Sequence, residues 1–467
     1  MLPVIAIVGR SNVGKSTFFN RLTGSKDALV ADYAGLTRDR IYGYINYQSF
    51  KAILIDTGGL VYDHGDLSGV IQDQTELAIR EADVVLFLVD SREGLVANDQ
   101  EIARQLRKIN KPLILVVNKT EGLDREACAA EFFELGLGEP NCISALRGDH
   151  CEALSAKVFS LIKTETDEAN YLELPEENTS IALIGRPNVG KSTLINSLLK
   201  EDRLLTQDQP GTTRDTIHVD FKYKSRDLTL IDTAGIRRRK NISQTVEKFS
   251  IVKALHAIEL ADSVIVVIDG IEGVTDQDAS LIGLVIQNER ALVVAINKCD
   301  QLNESQMQDL QRNIDRKLRF VNFIDIHHVS ALKGTKIGAA LSSAIKAADV
   351  SLKSISTPEL SQFIEHLVET SPPPAIQGRR IKLKYAHQGG SQPPIFIIYG
   401  NQTHKLRKNY KSFLINQIRK KFEFWGTPIR LEFKNSNNPF SDKKNKLSSR
   451  QWRKRKRIIR MHKKKKS

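Results

Sequence analysis

Two stretches of this sequence are near copies of each other, GRSNVGKSTFFNRL at residues 9–22 and GRPNVGKSTLINSL at residues 185–198. They lie 176 positions apart, and TRD at 37–39 and IDTGG at 55–59 both return at the same offset, the second as IDTAG. A repeat of this length indicates a duplicated domain and not a solenoid unit. The 467 residues agree with that interpretation, because a single domain has typically ~150 residues.

Both copies open with the pattern G-x-x-x-x-G-K-S, which follows an apolar stretch and precedes a stretch with helical periodicity. In this setting the glycines let backbone amides wrap phosphate groups, the lysine neutralises β- and γ-phosphate oxygens, and the serine is placed to bind Mg²⁺. The sequence therefore predicts two nucleotide-binding loops. Their residues are Gly9, Arg10, Ser11, Asn12, Val13, Gly14, Lys15 and Ser16, and Gly185, Arg186, Pro187, Asn188, Val189, Gly190, Lys191 and Ser192.

A carboxylate at the end of a later apolar strand is the second element of such a site, because it reaches the metal through its shell. Asp56 and Asp232 have this position, and Thr37 and Thr213 are candidates for the threonine that closes on Mg²⁺ when a γ-phosphate is present. The predicted magnesium ligands are Ser16, Thr37, Asp56, Ser192, Thr213 and Asp232, and the predicted catalytic groups are Lys15, Thr37, Lys191 and Thr213. The accompanying nucleotide-binding stretches are Asp56, Thr57, Gly58, Gly59 and Leu60, and Asp232, Thr233, Ala234, Gly235 and Ile236.

The base-binding motif predicts guanine. Asn297, Lys298, Cys299 and Asp300 form N-K-x-D, in which the carboxylate accepts hydrogen bonds from the ring and exocyclic nitrogens of guanine, a donor pair that adenine lacks. Ser330 would support the loop, and the backbone N–H of Ala331 would donate to the guanine oxygen. The first copy has Asn118, Lys119, Thr120 and Glu121, followed by Ser144 and Ala145.

Glu121 is one methylene longer than the expected aspartate. The longer carboxylate predicts weaker binding of guanine nucleotide in the first copy than in the second. The alternative is that the loop after Lys119 has relaxed around glutamate and binds equally well.

The residue that often orients the attacking water after D-x-x-G is glutamine, but Leu60 and Ile236 occupy that position here. Two interpretations remain open. The domains are slow switches that need an external activator, or Asn12 and Asn188 help to hold K⁺ between the phosphates, where its charge would stabilise the transition state. The second is favoured, and it predicts potassium-stimulated hydrolysis.

Short, β-branched apolar runs alternate with helical stretches in both copies, which predicts an α/β fold with mainly parallel sheets covered by helices on both faces. We predict a first domain at 1–163, an acidic linker at 164–178 and a second domain at 179–355. A small α+β module is predicted at 356–440. The last segment, 441–467, is predicted to be a basic, disordered tail.

The charge of the chain is uneven. Its net charge is +14, yet residues 443–467 alone hold 14 Lys/Arg and no acid, and residues 371–442 hold 13 Lys/Arg and three acids. The preceding part is mildly acidic. This asymmetry indicates a polyanionic partner, most simply nucleic acid. Non-specific attraction of the tail and a site-directed contact with rRNA remain equally open.

Over residues 1 to about 440 the two motif sets and the order of the terminal elements resemble the Der (EngA) family of bacterial GTPases, in which two tandem P-loop G domains precede a KH-like domain. The resemblance implies GTP/GDP and magnesium as cofactors, GTP hydrolysis, a role in ribosome biogenesis at the large subunit, and contact with its rRNA. A monomer in the cytoplasm without a membrane span is expected. The alternative function is a nucleotide-gated RNA-binding scaffold in which hydrolysis is incidental.

Overall fold

The computed structural model describes most of the chain. The described residues are 2–24, 28–29, 41–48, 50–58, 68–166, 178–200, 218–231, 251–374 and 381–435. The chain divides into two compact units, of which the first comprises Met1–Lys353, Gln392–Pro394 and Arg419–Ile429. The predicted tail and most of the predicted acidic linker lie outside the described residues, and the predicted domain boundaries stay predictions.

The first copy forms a seven-stranded sheet with the strand order β2-β3-β4-β1-β5-β6-β7. Strands β4, β1, β5, β6 and β7 run parallel, while β2, β3 and β4 pair antiparallel. The strands are β1 (Val4–Val8), β2 (Ala28–Leu29), β3 (Ile41–Tyr47), β4 (Phe50–Asp56), β5 (Val84–Asp90), β6 (Leu113–Asn118) and β7 (Asn141–Cys142). The helices are α1 (Lys15–Leu22), α2 (Ser68–Glu81), α3 (Ala97–Leu106), α4 (Arg125–Ala130) and α5 (Cys151–Thr166).

The second copy repeats this design in a six-stranded sheet of order β13-β12-β11-β8-β10-β9, in which β9 and β10 pair antiparallel. Its strands are β8 (Thr179–Ile184), β9 (Val219–Tyr223), β10 (Arg226–Ile231), β11 (Ser263–Asp269), β12 (Ala291–Asn297) and β13 (Asp325–His328). Its helices are α6 (Lys191–Lys200), α7 (Ile251–Leu260), α8 (Asp276–Gln287), α9 (Glu304–Lys317) and α10 (Ile337–Ser351).

Both sheets are buried on both faces, which explains their continuous apolar strands. All seven residues of β5 are buried, as are all seven of β11. Alternate residues of these strands enter separate hydrophobic clusters on the two faces of each sheet. The predicted α/β class and the predicted cover by helices on both faces are confirmed.

The two copies contact each other within the first unit through α7. Val252 and Leu255 of this helix join the hydrophobic cluster that covers one face of the first sheet, and Leu255 is completely buried. At the edge of the contact, Lys51 Nζ lies 2.8 Å from the carboxylate of Glu259. The second copy therefore completes part of the core of the first.

The third module folds around a three-stranded sheet of order β14-β15-β16, with β14 antiparallel and β16 parallel to β15. Its elements are α11 (Thr357–Thr370), β14 (Leu383–Gly390), β15 (Ile395–Gly400), α12 (Lys408–Phe422) and β16 (Arg430–Asn435). The predicted order of a helix, two strands, a basic helix and a last strand is confirmed. Helix α11 ends just before the prolines at 372–374, as the sequence predicted.

Residues 419–429 belong to the first unit and contact the second copy. The backbone N–H of Gly426 donates to the Phe323 carbonyl oxygen at 2.7 Å, and the Gly426 carbonyl accepts from the N–H of Leu292 at 2.7 Å. The guanidinium carbon of Arg419 lies 4.0 Å from the centre of the Phe323 ring. Burial lowers the pKa of Arg419 to about 10. The end of the basic helix is therefore packed and not merely solvated.

Among the described helices, none combines the length and the apolar composition needed to cross a bilayer.

Candidate nucleotide sites

Each phosphate loop connects the central strand of its sheet to the following helix. Residues 9–14 lead from β1 into α1, and residues 185–190 lead from β8 into α6. The lysine side chains fold over their own loops: Lys15 Nζ donates to the Arg10 carbonyl at 2.6 Å, and Lys191 Nζ donates to the carbonyls of Gly185 and Arg186 at 2.8 and 2.7 Å. These ammonium groups are thereby held where bound phosphates are predicted.

Two glycines of the loops are required by local geometry. Gly14 has φ 98° and Gly190 has φ 95°, a region that L side chains rarely adopt. A Cβ atom at either position would also collide with the side-chain amide of an asparagine, Asn118 beside Gly14 and Asn297 beside Gly190. The loop and the predicted guanine-binding motif are therefore in direct contact.

The same two asparagines hold three motifs together in each copy. Asn118 Nδ2 donates to the carbonyl of Val13 at 2.9 Å, and its Oδ1 accepts from the backbone N–H of Ala145 at 2.9 Å. Asn297 makes the equivalent bonds to Val189 and Ala331, both at 2.8 Å. The N–H groups of Ala145 and Ala331, expected to donate to the guanine oxygen, thus bond to asparagine here, and their role toward guanine stays a prediction.

The lysines of the base-binding motif are also fixed by carboxylates. Lys119 Nζ lies 2.5 Å from Asp90 Oδ2, and Lys298 Nζ lies 2.5 Å from Asp269 Oδ2. Both aspartates end a buried strand and have nearly buried side chains. The sequence analysis missed Asp90 and Asp269, although an apolar strand that ends in aspartate in both copies was a usable signal.

Other residues of the predicted base loops have internal partners. Thr120 Oγ1 donates to the Ile143 carbonyl at 2.9 Å, and Cys299 Sγ lies 3.2 Å from the Ile296 carbonyl. Ser144 Oγ accepts from the N–H of Arg147, and Ser330 Oγ accepts from the N–H of Lys333, each at 3.1 Å. These bonds shape the loops around the predicted base position.

The first copy brings together two of its predicted magnesium ligands. Ser16 Oγ donates to Asp56 Oδ2 at 2.9 Å, and Asp56 is only 1% exposed. Burial raises the pKa of Asp56, although Ser16, Lys15 and the N–H of Gly58 oppose that change. A hydroxyl and a carboxylate at this distance are oxygen donors of the kind that Mg²⁺ prefers, so these residues fit the metal.

Several predicted site residues lie outside the described part of the chain, and nothing in the structure tests them. They are Thr37, Gly59, Leu60, Thr213, Asp232, Thr233, Ala234, Gly235 and Ile236. Of the second copy's predicted magnesium ligands, Ser192 alone is among the described residues.

The arginine that follows the first glycine of each loop was predicted to contact nucleotide, but the structure places it on carboxylates of the protein. Arg10 pairs with Asp99 on α3 and with Glu93. Asp99 is completely buried, and a buried carboxylate requires a positive partner. The guanidinium group therefore joins the phosphate loop to α3.

The second copy repeats this ion pair at a residue that also caps a helix. Arg186 Nε lies 2.9 Å from Asp278 Oδ1, and a second guanidinium nitrogen lies 2.7 Å from Glu272. The other carboxylate oxygen of Asp278 accepts hydrogen bonds from the backbone and hydroxyl of Thr275 at the start of α8. Asp278 thus connects the start of α8 to the phosphate loop.

Glu121, the departure from the N-K-x-D pattern, has an arginine partner. Its Oε1 lies 3.1 Å from a guanidinium nitrogen of Arg92, and Arg92 Nε donates to the Lys119 carbonyl at 3.4 Å. Desolvation opposes ionisation of Glu121, but Ser144, its own backbone N–H, Arg92 and Arg147 hold its pKa below the ordinary value. The carboxylate is therefore ionised and positioned at neutral pH.

The second copy has a different arrangement at the same place. Ile271 occupies the position equivalent to Arg92, 179 residues later, and is 52% exposed. Asp300 instead has Lys333 as its positive neighbour, at 3.8 Å. The longer carboxylate and the arginine thus occur together in one copy, and the shorter carboxylate and isoleucine occur together in the other.

Two protein families match parts of this chain. The family described as 50S ribosome-binding GTPase matches residues 4–119 and 180–298. The family described as the C-terminal KH-domain-like region of EngA bacterial GTPase enzymes matches residues 354–434. The first family covers both sheets around the phosphate loops, and the second covers the module built on β14, β15 and β16.

Curated proteins match the chain over its full length. GTPase Der of Pseudoalteromonas atlantica is 47% identical over 479 residues and covers 99% of each chain. GTPase Der of Legionella pneumophila is 45% identical over 466 residues and covers 100% of each. Among solved structures, Era of Aquifex aeolicus bound to GDP and AlF₄⁻ covers 93% of each chain at 18% identity, with a TM-score of 0.29 that supports no argument.

The fold and the paired sites define a GTPase with two G domains and a C-terminal KH-like domain. By these full-length similarities the chain belongs to the GTPase Der family, also called EngA. Guanine nucleotide is accordingly the ligand class of its G domains.

The pairing of Glu121 with Arg92 leads to a first prediction. In a chain whose second site is disabled by Lys191→Ala, Arg92→Ile should weaken GDP binding about 2- to 5-fold, the range for a partly exposed ion pair. The double variant Arg92→Ile/Glu121→Asp copies the second domain and should recover that loss. Isothermal titration with GDP measures both. An unchanged affinity for Arg92→Ile would show that the ion pair does not position the carboxylate.

The environment of Lys15 leads to a second prediction. Burial lowers the pKa of Lys15 to about 8, while Asp56 partly offsets this and Arg10 adds to it. Bound phosphates favour the charged lysine, so binding requires uptake of a proton above pH 8 and none well below it. In the Lys191→Ala chain, GDP affinity should therefore fall above about pH 8 by at most about tenfold per pH unit.

The check is a series of titrations between about pH 7 and pH 9.5, repeated for Lys15→Arg. Arginine stays charged over this range, so its profile should be flatter whatever its absolute affinity. Parallel profiles for the two chains would contradict the assignment to Lys15.

Proposed function

We propose that the protein hydrolyses GTP to GDP and phosphate at both G domains and acts in ribosome biogenesis, in assembly of the large subunit. The observation that carries this proposal is the duplicated bridge from Asn118 and Asn297 to the phosphate loops, which gives both copies a site of the same construction. The large-subunit role is supported by the family described as 50S ribosome-binding GTPase.

The roles of the residues follow from their positions. Backbone N–H groups of the two loops would bind phosphate oxygens, and Lys15 and Lys191 would neutralise charge on the β- and γ-phosphates. Glu121 and Asp300 would accept hydrogen bonds from guanine. The remaining nucleotide contacts are proposed for the residues predicted from the sequence.

Magnesium would be held by the hydroxyl and carboxylate groups already predicted. These are Ser16, Thr37 and Asp56 in the first domain and Ser192, Thr213 and Asp232 in the second. When bound, Mg²⁺ neutralises charge on the β- and γ-phosphate oxygens. Thr37 and Thr213 would close on the γ-phosphate side and distinguish GTP from GDP.

Potassium is the proposed source of positive charge in the transition state. Asn12 and Asn188 have φ values of 66° and 64° and are exposed on their phosphate loops. Their side-chain oxygens are thus accessible to a cation beside the phosphates. Leu60 and Ile236 cannot hold the attacking water by a side-chain hydrogen bond, which makes another source of catalytic stabilisation necessary.

This leads to a third prediction. In a chain that retains only the second site because of Lys15→Ala, GTP hydrolysis should be about tenfold or more faster in K⁺ than in Na⁺ at equal ionic strength. Asn188→Ala should remove most of this difference, since it removes an oxygen ligand, while GDP affinity stays within about 3-fold. Phosphate-release rates measure the effect. Equal rates in the two salts before substitution would refute the potassium role.

The proposed partner is the large ribosomal subunit with its rRNA. Its phosphates would attract the basic C-terminal quarter, where residues 443–467 carry 14 positive charges and no acid. We also propose that the protein acts in the cytoplasm as a monomer.

The fourth prediction tests this partner directly. Cosedimentation with purified large and small subunits, in GTP analogue, GDP and no nucleotide, should show association with the large subunit that depends on the nucleotide. Deleting residues 443–467 should weaken association and flatten its salt dependence, because fewer counterions are released. Hydrolysis away from ribosomes should hardly change.

Single-turnover hydrolysis with and without large subunits completes the test. Acceleration by the large subunit supports a hydrolysing assembly factor. Nucleotide-dependent binding without any change in hydrolysis would favour the RNA-binding scaffold. Absence of binding to the large subunit under all three nucleotide conditions would refute the proposed function.

A further inference from the structure

The sheet of the second unit has two chemically different faces. Ala386, Phe396 and Ile398 lie on the face that packs with α11 and α12, and all three are completely buried. Because side chains alternate along strands, the pairing register places the neighbouring residues on the opposite face. The residues of that face are Tyr385, His387, Ile395, Ile397, Tyr399, Arg430, Glu432 and Lys434.

Three rings on this face form a continuous surface, which we name the aromatic platform: Tyr385, His387 and Tyr399. The ring centres of Tyr385 and Tyr399 are 5.7 Å apart across the β14–β15 pair, and those of His387 and Tyr399 are 5.7 Å apart and stacked at 22°. Tyr385 and His387 are 5.6 Å apart. Tyr385 is 44% exposed, and the other two rings are half-buried. The aromatic platform is thus accessible from outside the module.

Positive charge surrounds the aromatic platform. Lys434 lies beside Tyr399 in the register of β16, and Lys384 precedes Tyr385; both are exposed. Arg430 and Glu432 form an ion pair at 3.2 Å on the same face. Beyond β16, the segment with 14 Lys/Arg and no acid begins at residue 443, eight residues after Asn435.

Exposed rings beside lysines match the chemistry of one class of partner. Unpaired nucleic acid presents flat bases that stack on aromatic rings and phosphates that attract lysine. A duplex keeps its bases stacked on each other, and an acidic protein surface offers charge without a supply of flat faces. The aromatic platform therefore fits a single strand better than either alternative.

The usual RNA contact of a KH domain is not encoded in this module. Residues 371–440 contain no G-x-x-G sequence, and that loop is what clamps the RNA backbone in ordinary KH domains. RNA binding by this module, if carried by described residues, therefore needs another surface, and the aromatic platform supplies both rings and charge.

We propose that the aromatic platform binds unpaired RNA bases by stacking, with Lys434 contacting an adjacent phosphate. This inference rests on the proposed function, since it assigns a contact surface for rRNA. It places base contacts on the face of the sheet, whereas the basic tail contributes attraction to phosphates in general.

The test uses the full chain and fluorescently labelled, unstructured RNA of about 12 nucleotides, oligouridylate and oligoadenylate, titrated over a series of salt concentrations. Tyr385→Leu and Tyr399→Leu keep apolar volume but remove a ring, and each should weaken binding about 5-fold or more. The slope of affinity against salt should stay unchanged for both, because no phosphate contact is lost. Lys434→Gln should instead reduce the slope by about one charge.

Two controls accompany these variants. Tyr385→Phe keeps the ring and should bind as the unaltered chain does. Phe133→Leu removes a ring that is 55% exposed in the first copy and should also have no effect. Unchanged hydrolysis at both sites and an unchanged melting temperature show that the leucine variants are folded.

A measurement on the unaltered chain decides the matter if a variant fails to fold. RNA containing 4-thiouridine is irradiated with the protein, and the joined peptides are identified by mass spectrometry. Crosslinks at Tyr385, His387 or Tyr399 support the aromatic platform. Crosslinks confined to other surfaces, or leucine variants that bind as the unaltered chain does, overturn it and leave the face to a protein partner.

The two proposals fail separately. If the chain cosediments with large subunits while the ring variants bind RNA normally, the aromatic platform is wrong and the proposed function stands. If the ring variants lose binding to single strands but the chain does not associate with large subunits, the aromatic platform stands and the proposed function is wrong.

Discussion

Each nucleotide site depends on one buried asparagine. Asn118 and Asn297 end the strands β6 and β12, and each side chain bonds at once to the phosphate loop and to the backbone of the next loop. Both residues are 2% exposed, so an unmade bond here would leave a polar group without water, at about 1–3 kcal/mol. The asparagine therefore sets the distance between the phosphate-binding and base-binding halves of the site.

Much of this arrangement could be predicted from the sequence because it is local. The phosphate loops are contiguous motifs, and the parallel strands are continuous apolar runs that are easy to recognise. Strands β3 and β9 were missed, since their exposed and buried residues mix and they lie at the antiparallel side of each sheet. The partners of Arg10 and Arg186 were missed for another reason: Asp99 and Asp278 are about ninety residues away, and no spacing rule connects them.

The two copies show which parts of the design tolerate change. The bridge from asparagine, the lysine–aspartate pairs and the arginine–carboxylate pairs recur in both with nearly equal distances. The carboxylate for guanine does not recur: glutamate stands with Arg92 in one copy, and aspartate stands opposite Ile271 in the other. A departure from the motif was visible in the sequence, but its partner became visible only when the turn after β5 was placed beside the turn after β6.

The contact of α7 with the first sheet has a consequence for the independence of the two copies. Val252 and Leu255 fill part of the first hydrophobic cluster from the second half of the repeat. A gene fragment that encodes the first copy alone would expose that patch to water, and an unsatisfied apolar surface promotes association with other chains. The duplication has therefore left two domains that resemble each other in sequence yet are no longer interchangeable, because one of them has become part of the other's interior.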